Sequence, residues 1–357
     1  MEYFIGFLVL LGVLIFVHEF GHFIVAKMAG VKVLKFSLGF PPTLIKRKWG
    51  ETEYMLSWIP LGGYVKLLGE DPEQDEEIPP EEKHRAFTSK PLLSRMAIIL
   101  AGPLFNYLLA FVLICAGYLA GWPVLISEIG KVLDGTPAME AGLKAGDKIV
   151  AIDGQPVWRW DDMRSTIEQN AGRKLNLTVQ RDDSTIDLPV TPTVGDQKDI
   201  FGEQTGRIGV APSGKSAQLG IGASIYEGGR FTVYLTKLIV VTLVKLVKGE
   251  ISAKALSGPI TIAQASGESL KAGLFSFIFL LSYISINLAV INLLPIPILD
   301  GGHLLFFVIE AIIRRPVTGK IREYAVQAGL VFIVFLMVLV FYNDISRIIT
   351  KGWSLTP

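Results

Sequence analysis

Four long apolar runs divide the chain, and polar or alternating stretches separate them. The runs extend from Tyr3 to about Ala26, from Met96 to about Leu119, from Phe275 to about Leu299, and from Ala325 to Phe341. Each approaches the roughly 20 apolar residues that a membrane-spanning helix needs, and the last run is the shortest. The pattern therefore predicts a polytopic α-helical membrane protein with four transmembrane helices.

The composition excludes several other classes of protein. Half of the 357 residues are apolar and only 19% are charged, which is too apolar for an ordinary soluble protein of this length. The net charge is +1, and no Lys/Arg-rich cluster alternates with aromatic residues, so nucleic-acid binding is not expected. Cys115 is the single cysteine and lies in an apolar run, which excludes an intramolecular disulfide and a thiolate metal cluster.

The first apolar run is predicted to be a retained transmembrane helix and not a signal peptide. Glu2 occupies the place of a basic n-region, and no small-residue cleavage site follows before His18. Lysine and arginine are retained in cytoplasmic loops, and they are abundant in residues 27–95 and 314–322. Both chain termini and the region from about Gly121 to Gly273 are therefore predicted to lie outside.

Strand-like alternation and turn signals mark the outer region as β-rich. Alternating residues from Lys148 to Ile152 end at the turn Asp153-Gly154, and a further hairpin is predicted around Asp182-Asp183. The pattern Gly-Leu-x-Ala-Gly-Asp-x-Ile, Gly142 to Ile149, resembles a bacterial PDZ domain. We therefore expect one PDZ domain in residues 121–226.

Two further segments are predicted to associate with the membrane surface. Phe231 to Glu250 is apolar, but Lys237 and Lys245 interrupt it, which favours an interfacial amphipathic helix over a fifth span. The loop after the first span has turn signals at Pro41-Pro42, Trp49-Gly50 and Gly62-Gly63 around short β-prone runs. It predicts β-hairpins that can dip into the membrane if their backbone is paired.

The motif His-Glu-Phe-Gly-His interrupts the first span. His18 and His22 are one helical turn apart, so two imidazoles can bind one zinc ion, and Glu19 is close enough to accept a proton from a zinc-bound water. Ionisable groups inside a span are costly and indicate function. A structural role, in which these residues form hydrogen bonds inside a helix bundle, is the alternative.

A catalytic zinc site usually has three protein ligands. The other histidines are His84 and His303, but Asp300, at the end of the third span, is the better candidate. Under the four-span topology, the first and third spans both run from outside to inside, so His18, His22 and Asp300 reach the same membrane depth. A fifth crossing at Phe231 would place Asp300 on the opposite side, and Asp300 could also be a solvated helix end or a cap.

The chain resembles the site-two protease family of intramembrane zinc metalloproteases. The resemblance is carried by "HEFGH", by "GPLFN" at Gly102 to Asn106 and by "NLLPIPILDGGH" at Asn292 to His303, and it covers essentially the whole chain. It implies Zn²⁺ as the cofactor and a division of the chain into recognisable parts. The spans are 1–26, 96–120, 274–303 and 325–342, the cytoplasmic loops 27–95 and 304–324, the PDZ region 121–226, the interfacial helix with its linker 227–273, and the tail 343–357.

The resemblance also implies the site residues and the reaction. His18, His22 and Asp300 correspond to the zinc ligands and Glu19 to the general base, while Asn292, Pro295 and Pro297 shape the substrate-binding part of the third span. The expected reaction is peptide-bond hydrolysis in or near the transmembrane segment of a trimmed single-pass protein, such as an anti-sigma factor or a remnant signal peptide.

The implied location is the bacterial inner membrane, with the PDZ domain on the periplasmic side and with lipid and single-pass proteins as partners. Regulated proteolysis in envelope stress signalling is the implied role. Close members of the family usually carry two tandem PDZ domains, and this chain has room for one, so size gating by a tandem pair is in doubt here.

Three other functions remain open from the sequence. They are a catalytically inactive membrane adaptor that uses its PDZ domain, a metal transporter, and a soluble-side metalloprotease that its spans only anchor. A transporter is disfavoured because one convincing site and no inverted repeat are visible. Asn106 and Asn292 either orient substrate or form hydrogen bonds between helices.

Overall fold

The computed structural model describes residues 2–70, 78–198, 204–315 and 319–352. Apart from Met1, the other residues belong to the two predicted cytoplasmic loops, the predicted PDZ region and the C-terminal tail. The chain forms two compact units. Met1–Ile114 and Gly228–Pro357 make up a helical unit, and Cys115–Glu227 make up a β-rich unit.

Most of the helical residues belong to a few long helices. The helices are α1 (Glu2–Met28), α2 (Leu92–Leu119), α3 (Pro137–Glu140), α4 (Trp160–Glu168), α5 (Ile221–Val247), α6 (Pro259–Ala272), α7 (Leu274–Asn292), α8 (Asp300–Ile313) and α9 (Gly319–Lys351). Within the part of the chain that the structure describes, four of them are long and apolar enough to cross a membrane, namely α1, α2, α7 and α9. These correspond to the four predicted spans.

The third span is shorter than the sequence pattern predicts. We expect it to run to about Leu299, but α7 ends at Asn292 and a new helix, α8, begins at Asp300. Pro295 and Pro297 explain the difference, because proline lacks the backbone N–H that continues a helix and disfavours helical geometry in the residue before it. The last helix differs in the other direction, since α9 continues to Lys351 through much of the predicted tail.

The segment after the β-rich unit contains two helices. The predicted amphipathic segment belongs to α5, which begins earlier than expected, at Ile221. The predicted linker contains a second helix, α6, which the sequence pattern did not indicate. Asp344 of α9 stabilises the start of α6, because its carboxylate accepts hydrogen bonds from the backbone N–H groups of Ile260 and Thr261, both at 3.0 Å.

The loop after α1, which is predicted to be cytoplasmic, forms one antiparallel hairpin of β1 (Val33–Trp49) and β2 (Thr52–Leu67). Residues 35–38 of β1 pair with β2 on both sides. Residues 53–56 of β2 lie along one side, and residues 63–66 of β2 lie along the other. The final segment of β2 therefore forms an edge, along which the described residues contribute no further strand.

Buried contacts hold the base of the hairpin against the helices. A core cluster joins Val33 and Leu67 of the hairpin to Ala26 of α1, Ile98 of α2 and Phe307 of α8. The far end is different, because apolar side chains there are exposed. They include Phe40 (42% exposed), Trp58 (65%) and Ile59 (43%). The structure thus has a hairpin with a buried base and an apolar tip beside the first span.

An ion pair at the hairpin turn gives a pH-dependent contact. Glu51 lies 2.6 Å from both Lys27 Nζ and Arg85 Nη2, and the hydrogen bond from Lys27 holds the pKa of the Glu51 carboxyl below its ordinary value. A carboxyl whose pKa is lowered by folding stabilises the fold above its ordinary pKa, and this contribution is lost as the pH falls through the lowered value.

Replacing Glu51 by glutamine is therefore expected to lower the unfolding temperature at pH 7. The difference from the unchanged protein should shrink as the pH falls below the ordinary carboxyl range, because the wild-type ion pair is then lost as well. Thermal unfolding of the detergent-solubilised chain at several pH values measures both effects. Glu53→Gln is the matched control, because Glu53 lies 3.8 Å from its cation, Lys46. A difference that persists unchanged at low pH would contradict the expectation.

The β-rich unit contains ten short strands among its described residues. They are β3 (Val124–Leu125), β4 (Ile129–Val132), β5 (Lys148–Ile152), β6 (Gln155–Pro156), β7 (Leu175–Arg181), β8 (Ser184–Val190), β9 (Thr193–Lys198), β10 (Gln204–Arg207), β11 (Val210–Pro212) and β12 (Ser216–Ala217). The largest sheet has the order β6-β5-β7-β8, and the hairpin predicted around Asp182 joins β7 to β8. One core cluster that includes Ile149, Met163 and Leu177 holds these elements together.

Candidate metal centre

Three side chains that are far apart in the sequence meet in the helical unit. His18 and His22, one turn apart on α1, face Asp300, the first residue of α8. His18 Nε2 lies 3.3 Å from His22 Nε2 and 3.2 Å from Asp300 Oδ2, and His22 Nε2 lies 3.6 Å from Asp300 Oδ1. Both histidines are 9% exposed. The structure brings together the three ligands that the sequence predicted.

These separations fit a single tetrahedral zinc ion. Zinc bonds of about 2.0–2.1 Å at the tetrahedral angle place neighbouring ligand atoms about 3.3 Å apart. Asp300 Oδ2 is buried, and no residue that the structure describes forms a hydrogen bond with it, which suits an oxygen that serves as a metal ligand. Two imidazoles and one carboxylate also leave a fourth position open, as in catalytic zinc sites.

One stripe of α2 supports the two imidazoles. Ile98, Gly102 and Asn106 follow each other at intervals of four residues, so they lie on the same face of the helix. The Ile98 carbonyl oxygen lies 2.8 Å from His22 Nδ1, and the Asn106 side-chain amide lies 3.4 Å from His18 Nδ1. Gly102 lies between them, and a Cβ atom there would be 2.3 Å from His22 Nε2. The glycine therefore leaves the space that the imidazole rings occupy.

Replacing Gly102 by alanine is expected to lower zinc affinity by about tenfold or more, as other changes around metal ligands do. The added methyl group would overlap His22 Nε2 and crowd His18 Cε1, so the two rings could not keep their present positions beside Asp300. Zinc bound per chain after dialysis against a chelator measures the effect. Gly12→Ala is the matched control on the neighbouring helix, because a Cβ atom at Gly12 meets nothing within 4 Å. Unchanged zinc retention in Gly102→Ala would contradict this account.

Two glycines allow the chain to fold back at Asp300. A Cβ atom at Gly301 would lie 2.3 Å from the carbonyl oxygens of Leu293 and Leu294, and one at Gly302 would lie 2.2 Å from the Ile296 carbonyl oxygen. The segment between α7 and α8 therefore packs directly against the first turn of α8. This packing turns Asp300 toward α1, and larger side chains would prevent it.

The Glu19 side chain lies where α1 contacts the edge of the hairpin sheet. It is 9% exposed, and a Cβ atom at Gly63 would lie 2.9 Å from Glu19 Cγ. The same Cβ atom would lie 2.9 Å from a methyl carbon of Ile15, so the β2 backbone runs directly against α1 at this point. The edge strand thus passes beside the predicted general base.

The other predicted site residues lie around the cluster. Asn292, at the end of α7, places its side-chain amide 3.5 Å from His18 Nε2. Pro295 and Pro297 lie in the segment that leads to Asp300, and Pro297 lies next to Gly329 of α9, where a Cβ atom would be 3.5 Å from the proline ring.

The two alternative histidines lie outside the ligand cluster. His84 is exposed in a short 3-10 helix (Lys83–Arg85) between β2 and α2. His303 Nδ1 lies 3.1 Å from Arg322 Nη2 of α9, and His303 is not among the three side chains that meet. Among the described residues, His18, His22 and Asp300 are the one set of three acidic, histidine or cysteine side chains close enough to hold a metal ion together.

Sequence reasoning missed the glycines of the site. Gly63, Gly102, Gly301 and Gly302 have no chemistry of their own, but each one permits a close approach that the site needs. The signal was present in part, because Gly102 and Asn106 stand in the "GPLFN" stretch and Gly301-Gly302 follows the third ligand.

Known proteins match nearly the full length of the chain. The model of peptidase family M50 matches residues 6–336. The regulator of sigma-E protease RseP of Salmonella typhimurium is 33% identical over 448 residues, covering 96% of this chain and 98% of that protein. The regulator of sigma-W protease RasP of Bacillus subtilis is 32% identical over 420 residues, covering 96% and 98%. A putative zinc metalloprotease of Agrobacterium fabrum is 34% identical over 364 residues, covering 97% and 96%.

The alignments differ in length. Those with the Salmonella and Bacillus proteins are longer than the 357 residues of this chain, so both relatives contain segments that this chain lacks. The alignment with the Agrobacterium protein is close to the length of this chain.

Proposed function

The chain belongs to peptidase family M50, which makes it a zinc-dependent intramembrane metalloendopeptidase, and we propose that it cleaves single-pass proteins in or near their transmembrane segments. The observation that carries this proposal is the convergence of His18, His22 and Asp300 on membrane-spanning or adjoining helices. A buried metal centre in this position serves substrates that are themselves in the bilayer.

His18, His22 and Asp300 are the proposed ligands of the zinc ion. When bound, zinc polarises a carbonyl group and makes water a nucleophile near neutral pH. Glu19 accepts the proton of the attacking water and then donates it to the amine that leaves. The buried position of Glu19 excludes bulk water from this transfer. Asn292, whose side-chain amide lies 3.5 Å from His18 Nε2, and the segment with Pro295 and Pro297 are the proposed substrate-binding residues.

The edge of the hairpin sheet is the proposed docking site for the substrate backbone. A helical transmembrane segment hides its carbonyl groups in its own hydrogen bonds, so it must unwind before hydrolysis. After Gly63, β2 runs along an edge of the sheet beside Glu19, where the described residues place no further strand, and an unwound substrate can add there as one. This addition presents a carbonyl group next to the general base.

The proposed substrates are single-pass proteins that have already been trimmed outside the membrane. Two relatives are named as regulators of sigma-E and sigma-W, which favours an anti-sigma factor, and a remnant signal peptide has the same chemistry. The chain is a multi-pass bacterial membrane protein by its helices and its relatives. We place the β-rich unit on the periplasmic side as a single PDZ domain that limits access, and the shorter length relative to two regulator proteases agrees with one such domain.

Reconstitution in liposomes tests the proposed function. The purified chain is mixed with a single-pass substrate, and separately with a soluble peptide of the same scissile sequence, with and without a zinc chelator. We expect chelator-sensitive cleavage of the membrane substrate and much slower cleavage of the peptide. Equal cleavage of both would support a soluble-side protease. Zinc flux without cleavage would support a transporter. The absence of both cleavage and flux would support a catalytically inactive membrane adaptor.

A further inference from the structure

The second ring nitrogen of each histidine ligand faces α2. His22 Nδ1 lies 2.8 Å from the Ile98 carbonyl oxygen. A carbonyl oxygen only accepts hydrogen bonds, so Nδ1 of His22 carries the hydrogen and donates it. The lone pair of His22 is then on Nε2, the atom that faces His18 and Asp300. The backbone of α2 therefore selects the form of His22 that can bind a metal.

His18 needs the same arrangement, and its neighbour on α2 is Asn106. The Asn106 side chain is completely buried, with its Nδ2 3.4 Å from His18 Nδ1. Its Oδ1 is also buried, and no described residue forms a hydrogen bond with it. An amide N–H directed at Nδ1 would require the lone pair there and would put the hydrogen on Nε2. That form of His18 cannot bind a metal through Nε2.

Exchanging the two ends of the amide removes the conflict at His18 and moves Nδ2 to the buried position where Oδ1 had no described partner. Oδ1 and Nδ2 of asparagine have nearly the same shape, and their assignment follows from the hydrogen bonds they make. With Oδ1 toward His18, the oxygen accepts a hydrogen bond from Nδ1–H, and the lone pair moves to Nε2. The buried oxygen then has its partner, as buried polar groups in proteins usually do.

We propose that Asn106 is a positioning residue of the metal centre, whose Oδ1 accepts a hydrogen bond from His18 Nδ1–H and so presents Nε2 to the metal. Partners of this kind orient metal-bound histidines and raise their basicity. Asn106 and the Ile98 carbonyl thus perform the same task for the two histidines, one with a side chain and one with the backbone. The inference rests on the proposed role of His18 as a ligand.

A helix-packing role for the same residue is separable from this one. Ser285 Oγ of α7 donates a hydrogen bond to the backbone oxygen of Asn106 at 2.7 Å. This contact joins α2 to α7 without using the Asn106 side chain. Ser285→Ala therefore removes a contact between the helices and leaves the side-chain amide in place, which makes it the matched control.

The test measures zinc affinity in the detergent-solubilised full chain by competition with a chelator of known affinity. Asn106→Leu and Asn106→Ala remove the acceptor, and we expect about 10- to 100-fold weaker zinc binding. Asn106→Asp keeps an acceptor for Nδ1–H, so it should bind zinc more tightly than both. Ser285→Ala should bind like the unchanged chain. Unfolding temperatures of the zinc-free forms identify variants that fail to fold.

Each outcome decides one of two questions. Wild-type affinity in a folded Asn106→Leu or Asn106→Ala chain would overturn the role of Asn106, and so would a folded Asn106→Asp chain that binds as weakly as these two. His18→Ala and Asp300→Ala test the ligand set itself. If those two variants retain zinc, the proposed site fails. If they lose zinc while the Asn106 variants retain it, only the positioning role fails.

Discussion

Replacing Glu19 by glutamine is expected to lower cleavage of a reconstituted transmembrane substrate by roughly 10²- to 10⁴-fold, the usual contribution of a general base. Glutamine has nearly the same shape as glutamate but cannot accept the proton of the attacking water. Zinc content should stay at the wild-type level, because Glu19 is not among the three ligand side chains that meet in the structure. The measurements are the initial rate of product formation and the zinc bound per chain.

Measuring cleavage and zinc content together distinguishes loss of the general base from loss of the metal. Glu323→Gln is the control for loss of a carboxylate, because Glu323 is exposed on α9 and accepts a hydrogen bond only from Gln327 among the contacts that the structure describes for it. This control should cleave like the unchanged chain. Retained cleavage in Glu19→Gln would remove the assignment of the general base, and loss of zinc together with activity would show that Glu19 supports the metal centre instead.

Replacing Asp300 by alanine is expected to reduce bound zinc well below one ion per chain and to stop cleavage. Two imidazoles remain, which is one ligand fewer than catalytic zinc sites use. The loss also has an electrostatic part, since the carboxylate offsets charge in a site where uncompensated charge is costly. Elemental analysis of the purified chain, after dialysis with a weak chelator, measures the zinc content.

His303→Ala is the matched control for Asp300→Ala. His303 is on the same helix, about one turn further along, its Nδ1 lies 3.1 Å from Arg322 Nη2, and it is not one of the three ligand side chains that meet. It should retain zinc. Unchanged zinc content in Asp300→Ala would remove the third ligand. The prediction that α1 and α7 cross the membrane in the same direction would then lose its support, because it depends on the three ligands lying at one membrane depth.

The architecture of the helical unit was largely predictable because a membrane-spanning helix can be recognised from its own segment of sequence. A run of about 20 apolar residues must form its hydrogen bonds within the segment, so its length and composition are sufficient to identify it. The four spans follow from this rule. The third span ended early because two prolines outweighed apolar character, and α6 escaped notice because its sequence is only moderately apolar and lies between longer elements.

The predicted ligands also followed from local rules, but their surroundings did not. One-turn spacing places His18 and His22 on one face of any helix, whatever packs against it. The role proposed for Asn106 depends on which atom of its amide meets His18, and the need for Gly102 depends on how closely α2 approaches α1. Both depend on how α2 packs against α1, and no sequence pattern within either helix specifies that packing.

The amino-acid sequence by itself determined the number of apolar spans and predicted their orientation and the residues able to bind zinc, because these depend on hydropathy, charge placement and spacing along a single segment. Only the tertiary structure decided that Asp300 meets two histidines on another helix and that the hairpin edge passes beside Glu19. It also decided that residues of α2 contact the Nδ1 atoms of both imidazoles. These contacts join residues that are far apart in the chain, and they form only where glycines let backbones approach closely enough for side chains to meet.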